Sequence, residues 1–309
     1  MDGEVFFVNQ KKGVLFTILA ACAFGLGSSL SPLTYGEGGC SPVMLALLRF
    51  VVCLPILIVF SLCTKVPLRL ERRQLLPLFL LGAIGTGATT LLLNSAFSML
   101  DAGIADTLHF TYPIFVLLGS VLFYKAKITK VKVLAMGISL AGIVCFMFSG
   151  SGESTVSSVG IVVAIISGIC YAFYLLFMDK SGMAEVNPFK TSIYITLFAM
   201  VVLALYALIT NQLVVSTITP QSWLVIVISG VLSLAGMILI QLGIQNTDST
   251  MASILSTFEP VTCTISGILL LGESLTVMKF IGCVLVLAGV VVLTTYKEKQ
   301  PEPQGEAQQ

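Results

Sequence analysis

Ten apolar runs divide the 309-residue chain, and almost all of its charge sits in the short gaps between them. The runs cover roughly residues 13–32, 42–63, 75–97, 103–124, 131–148, 159–178, 188–209, 223–243, 249–271 and 277–296. Each is close to the ~20 residues a helix needs to cross a ~30 Å hydrocarbon core. A chain in lipid must satisfy its own backbone hydrogen bonds, so only helices and closed barrels span. None of the runs alternates with a period of two, which excludes barrel strands. With 57% hydrophobic and only 10% charged residues, against about 25% charged in a soluble domain, the chain cannot hydrate a free surface. The expected fold class is an all-α integral membrane protein with ten transmembrane helices and the lipid bilayer as its solvent.

The charges orient it. If the N-terminus is inside, inside segments collect Lys11, Lys12, Lys65, Arg69, Arg72, Arg73, Lys125, Lys127, Lys130, Lys132, Lys180, Lys190, Lys297 and Lys299, while outside segments hold only Lys279. That asymmetry predicts a multi-pass protein of the cytoplasmic membrane with both termini cytoplasmic. A net charge of +1 argues against nucleic acid as a partner, because such binding needs a clustered basic face. The cysteines lie almost all inside apolar runs and read as small hydrophobes, without the spacing of a disulfide framework or zinc site.

The chain is also written twice. Pro113 and Pro260 lie 147 positions apart, as do Asp101 and Asp248, Thr129 and Thr276, Lys132 and Lys279, and Leu140-Ala141-Gly142 and Leu287-Ala288-Gly289. The same offset carries Gly13 to Gly160, so the first run has a counterpart in the sixth and reads as a retained helix, not a cleaved signal peptide. Five helices per repeat is an odd number, so the second copy must enter the membrane upside down. Two inverted five-helix repeats are a transporter architecture, able to open a central site to either side by exchanging two similar conformations. The expected organisation is a cytoplasmic N-terminus at 1–12, repeats at 13–148 and 159–296, an external linker at 149–158 and a disordered cytoplasmic tail at 297–309. The two repeats form an internal pseudo-dimer, an arrangement compatible with a monomer.

The run FEPVTCTISGILLLGESLTVMKFIGCVLVLAGVVVL at 258–293, its echo YPIFVLLGSVLFYKAKITKVKVLAMGISLAGIVCFMF at 112–148 and LLRF at 47–50 resemble the EamA family of the drug/metabolite transporter superfamily. The resemblance covers roughly 13–296. It implies a ten-helix secondary transporter, often an exporter of amino acids, related metabolites or drugs. The family's glutamate after the ninth helix is kept as Glu273, whereas its first-repeat counterpart is Ala126.

Candidate residues for a small-molecule substrate site follow from the repeat. Asp106, His109 and Tyr112 recur every three residues in the fourth run, and Ser253, Ser256 and Glu259 occupy the equivalent positions in the ninth. Steps of three keep each trio on one helix face. Tyr112 and Glu259 directly precede Pro113 and Pro260, which cannot donate to the helix ladder. The two stripes approach the midplane from opposite sides. A carboxylate in hydrocarbon costs roughly 2.5–3.5 kcal/mol, so Glu259 is expected to line a wet cavity. Two roles are open to it: neutralising a substrate amine, or carrying protons.

Other candidates are less specific. Arg49 lies about 10 Å below the outer end of its helix at ~1.5 Å per residue, placed either to bind a carboxylate or to snorkel to the interface. Asn94 and its repeat counterpart Gln241 mark a polar face suited equally to substrate or to helix–helix hydrogen bonds. Tyr171 and Tyr174 could flank an apolar or cationic ligand, or simply pack. No phosphate loop or HExxH motif is present, and a single histidine cannot build a multi-histidine metal centre. The expectation is therefore a secondary active transporter without cofactor that exports an amino acid-like or drug-like metabolite, with proton coupling as one of the two roles open to Glu259. A passive facilitator or channel is the alternative; an enzyme is not expected.

Overall fold

The computed structural model describes residues 9–35, 38–148, 157–213 and 218–295. The expected linker at 149–158, except its last two residues, lies outside them, as do the tail 297–309 and most of the stretch 1–12. Ten helical spans cross in sequence: Gln10–Thr34, Pro42–Cys63, Arg72–Phe97, Gly103–Tyr124, Lys130–Met147, Ser158–Lys180, Pro188–Ile209, Pro220–Asn246, Ser249–Leu271 and Val277–Thr295. No strand occurs among the described residues. Caps punctuate the spans as their sequences suggest. Ser41, Thr129, Ser157 and Thr219 each accept from the backbone amide three residues on, satisfying a donor that the first helical turn leaves open.

The two repeats meet reciprocally. A Cβ on Gly142 of the fifth span would come within 2.8 Å of Gly282 O on the tenth, and one on Gly289 within 2.8 Å of Ala135 O on the fifth. These contacts are exchanged by the 147-residue offset: Gly142 maps to Gly289, and Ala135 to Gly282. Residue i touching j while the equivalent of j touches the equivalent of i is the mark of a two-fold relation. Small residues let the backbones approach, and close packing drives helix association in lipid. The same device brings the first span onto the ninth, where a Cβ on Gly25 would lie 2.6 Å from Glu259 O.

Three spans depart from the regular helices expected. The fourth is broken between the half-helices Ala102–His109 and Tyr112–Tyr124, and the ninth between Ser249–Ser256 and Glu259–Leu271. Each break directly precedes the proline pair position, because the Pro113 and Pro260 rings exclude a continuous ladder. The third span carries a π-helical segment, Leu81–Ala88, that hydropathy alone did not reveal. Its glycines take the place of side chains at two crossings: a Cβ on Gly82 would meet Phe198 at 2.6 Å, and one on Gly85 would meet Tyr174 at 2.9 Å. A π-turn at such crossings is a frequent companion of functional sites.

Candidate functional site

The first span packs against the break of the ninth at Glu259, and the sixth against that of the fourth at His109. Glu259 is the first residue of its half-helix, where the unpaired amides and helix dipole favour negative charge. Its carboxylate accepts from Ser28 Oγ at 3.4 Å. Ser28 is exposed although Gly27 and Ser29 on either side are buried, and Glu259 is half-buried, while every residue of Ser249–Thr257 before it is buried. The pair therefore faces an opening that ends at the break. Asp106, also half-buried, lies within electrostatic reach of Glu259. No lysine or arginine pairs with either carboxylate among the described residues.

Aromatic rings form the wall beside them. Tyr112 and Tyr171 meet edge to face at 4.7 Å, His109 lies 5.6 Å from each, and Tyr171 stacks parallel to Tyr174 at 5.9 Å. Gly85 backs Tyr174, and Gly168 lets the sixth span come against the carbonyl of His109, which a Cβ would approach to 2.7 Å. His109 Nδ1 lies 2.9 Å from Ser167 Oγ, whose own proton goes to Ala164 O at 2.6 Å. Ser167 thus accepts, and Nδ1 donates. The buried Tyr112 hydroxyl lies beside Ser256, whose Oγ donates to Ala252 O at 2.8 Å and keeps its lone pairs to accept.

Arg49 turns inward and does not snorkel. Its Nε donates to Ser229 Oγ at 3.0 Å, and Nη2 donates to Gly27 O at 3.1 Å and Ser31 Oγ at 2.6 Å. It has no carboxylate partner among the described residues. Ser28 and Ser31 are three apart on the first span, so the Arg49 and Glu259 contacts lie on one helix face. Tyr35, at the end of that span, is within electrostatic reach of both Arg49 and Asp106.

The structure thus gathers Glu259, Asp106, His109, Tyr112, Ser256, Tyr171 and Tyr174 at the break, with Arg49 along the same opening. Ser253 is fully buried and donates to Thr250 O at 2.7 Å, behind the site. Asn94 returns its amide to Thr90 O of its own helix at 2.7 Å. Gln241 is 1% exposed and donates to Met183 O at 3.1 Å and Val186 O at 2.8 Å, while accepting from Thr191. Its amide is occupied in tying the turn at Met183–Glu185 to the eighth span. Ser28, Ser31, Ser229 and Tyr35 were not expected. Single hydroxyls in apolar helices are too common to stand out in a sequence, and only the facing carboxylate and guanidinium single them out.

Inverted halves packed around a polar break are an arrangement that transporters use. The chain belongs to the EamA-like transporter family, which matches residues 11–148 and again 158–295. It is 33% identical over 172 residues to the uncharacterized transporter YdfC of Bacillus subtilis, covering 55% of this chain and 56% of that protein. It is 26% identical to an uncharacterized transporter of Archaeoglobus fulgidus, over 89% of this chain and 97% of that one. The threonine/homoserine exporter RhtA of Escherichia coli K12 is 25% identical over 93% of this chain and 92% of its own. A solved crystal structure shares the fold with a TM-score of 0.77 at 20% identity, covering 92% of this chain and 96% of that one. The protein is a multi-pass membrane transporter of the EamA family, with a small molecule as its substrate.

Proposed function

We propose that this transporter exports a small amine-bearing, amino acid-like metabolite across the cytoplasmic membrane by alternating access, with both termini cytoplasmic. The observation that carries the reading is the half-buried Glu259 carboxylate, which has Ser28 as its hydrogen-bond partner and no cation among the described residues. An ammonium group placed there gains two carboxylates, Glu259 and Asp106, and the half-buried ring of Tyr171. Cation–π attraction contributes about 0.5–2 kcal/mol in such surroundings. Arg49, held open by Gly27, Ser31 and Ser229, supplies the complementary pole for a substrate carboxylate. The likeness to RhtA, a threonine/homoserine exporter, supports the same substrate class. Glu259 is also the group in place to exchange a proton for the substrate, and a carboxylate that alternates between ammonium and proton couples the two fluxes.

Proteoliposomes loaded with single amino acids test this. Saturable efflux of a subset, accelerated by an inward proton gradient, is the expected result. Non-saturable flux that ignores the gradient would identify a passive facilitator instead.

A further inference from the structure

The inverted repeat pairs each polar contact on one face of the molecule with an equivalent set of positions on the other. Three contacts tie one face shut. Lys132 Nζ holds Asp248 Oδ2 at 2.9 Å, joining the first repeat to the second. Ser120 Oγ and Thr250 Oγ1 lie 3.2 Å apart. Asp179 accepts from Ser249 N at 3.0 Å and from its Oγ at 2.7 Å. At the 147-residue offset these become Lys279 with Asp101, Gly267 with Gly103, and Pro32 with Ala102. Only the first of those pairs has the chemistry for a polar tie.

That tie is absent in this conformation. Lys279 Nζ instead binds Glu273 Oε2 at 2.9 Å. Asp101 is exposed, makes no ion pair among the described residues and does not cap its half-helix, whereas Asp248 both pairs with Lys132 and caps through Met251 N. The two lysines are otherwise presented alike, since Thr129 and Thr276 accept from Lys132 N and Lys279 N at 3.3 and 3.2 Å. Glu273 makes the difference. Its carboxylate also covers Gly267, where a Cβ would come within 2.9 Å of it. Gly267 occupies the position against which Gly103 would seat, as Thr250 seats against Ser120. The first-repeat counterpart of Glu273 is Ala126.

We infer that Lys279 exchanges partners during transport, leaving Glu273 for Asp101 to close the open face as the Lys132–Asp248 pair separates. Glu273 is then the holder that keeps this face open. The inference rests on the alternating-access reading above. Removing a tie from the sealed face shifts the population toward the opposite conformation.

Hydrogen-exchange mass spectrometry on the full-length protein in lipid nanodiscs, without ligand, tests this. In the unsubstituted protein the 249–256 segment exchanges slowly and the 101–109 segment faster. Asp248→Asn should reverse that order, each segment shifting several-fold. On the Asp248→Asn background, Lys279→Gln should return 101–109 to fast exchange, and the joint exchange Asp101→Lys with Lys279→Asp should keep it slow. If Asp248→Asn moves neither segment, the faces do not alternate, and the transport mechanism falls together with the ion pair. If it moves both but Lys279→Gln leaves 101–109 slow, the faces alternate without this pair and the present inference alone is overturned. Ser249→Ala, which removes one hydroxyl and no charge, serves as the opening substitution should Asp248→Asn not fold.

Discussion

The half-helices Ala102–His109 and Ser249–Ser256 occupy equivalent places in the two repeats, yet one borders an opening and the other is sealed. Every residue of Ser249–Ser256 is buried, whereas Asp101 and Gly103 are exposed and Asp106 and Leu108 half-buried. Backbone architecture does not separate them, since both end at a break before a proline. The separation lies in side chains. The sealed half meets Asp179, Lys132 and Ser120, while the open half offers glycine and alanine at the matching positions. A repeat can therefore keep its fold symmetric and still rest in one state, because a handful of polar contacts decides which face is shut. Glu259, Asp106 and Arg49, none of them ion-paired among the described residues, are each half-buried.

Glu259 stands where the two halves meet, and substitution there is expected to give the largest effect. Separating a buried charge from its partner costs about 3–5 kcal/mol, so Glu259→Gln should lower amino acid efflux by about 100-fold or more. Folding should be kept, because the amide preserves shape and the contact with Ser28. Glu259→Asp should retain partial efflux, the charge surviving in a displaced position. Efflux and detergent melting measured on both variants decide the matter. Full activity in Glu259→Gln would reduce the carboxylate to packing.

Gln241 belongs to the sealed half, and its replacement should act on stability alone. Gln241→Leu strips Met183 O, Ala184 O and Val186 O of their side-chain donor and leaves Thr191 facing an apolar group. An unsatisfied buried polar group costs about 1–3 kcal/mol, so a loss of about 2–3 kcal/mol is expected in detergent melting. Efflux per folded molecule should stay unchanged. A selective loss of efflux at unaltered melting temperature would place Gln241 with the substrate and blur the contrast between the halves.

Arg49, on the open side, should show the opposite pattern with a smaller magnitude. Lysine keeps the charge but cannot reach Ser229, Gly27 and Ser31 together as the planar fork does. Losing the aligned hydrogen bonds to a substrate carboxylate corresponds to about tenfold in affinity at ~1.4 kcal/mol. Arg49→Lys should raise the half-saturating concentration by about that factor for amino acids. It should leave transport of the corresponding decarboxylated amines unaffected. Equal effects on both substrate types would remove the carboxylate role.

The spans and their inversion were legible in the sequence because hydrophobic run length and an odd helix count act on the whole chain at once. A disturbance of the helix ladder beside Tyr112 and Glu259 was legible from the proline that follows each, but not that Ser253, on the Glu259 stripe, would be buried behind the site. The inward turn of Arg49 was not, because snorkelling and inward binding differ only in which side chains a neighbouring span presents. Ser28 and Ser31 escaped notice for the same reason. The π-helical Leu81–Ala88 segment was hidden because its glycines fit a close helix crossing equally well in a regular helix. Asn94 and Gln241 share a repeat position but not a role: one bonds within its helix, the other to a loop, and position alone cannot distinguish these.

Asn94 gives the smallest expected effect and the sharpest check on what the open half requires. It lies toward the end of the third span, beyond the π-helical segment, and is polar and half-buried like the site residues. Its amide, however, donates to Thr90 O one turn back at 2.7 Å, a carbonyl that the helix ladder already serves. Removing that bond strands no buried partner, and a leucine there suits both helix propensity and lipid. Asn94→Leu should change stability by no more than about 0.5 kcal/mol, as is usual away from buried networks, and efflux should match that of the unsubstituted protein. If efflux instead fell as far as in Arg49→Lys while melting held steady, polarity anywhere along the open half would be part of the substrate path. The site would then extend along the third span, beyond the break between the fourth and ninth.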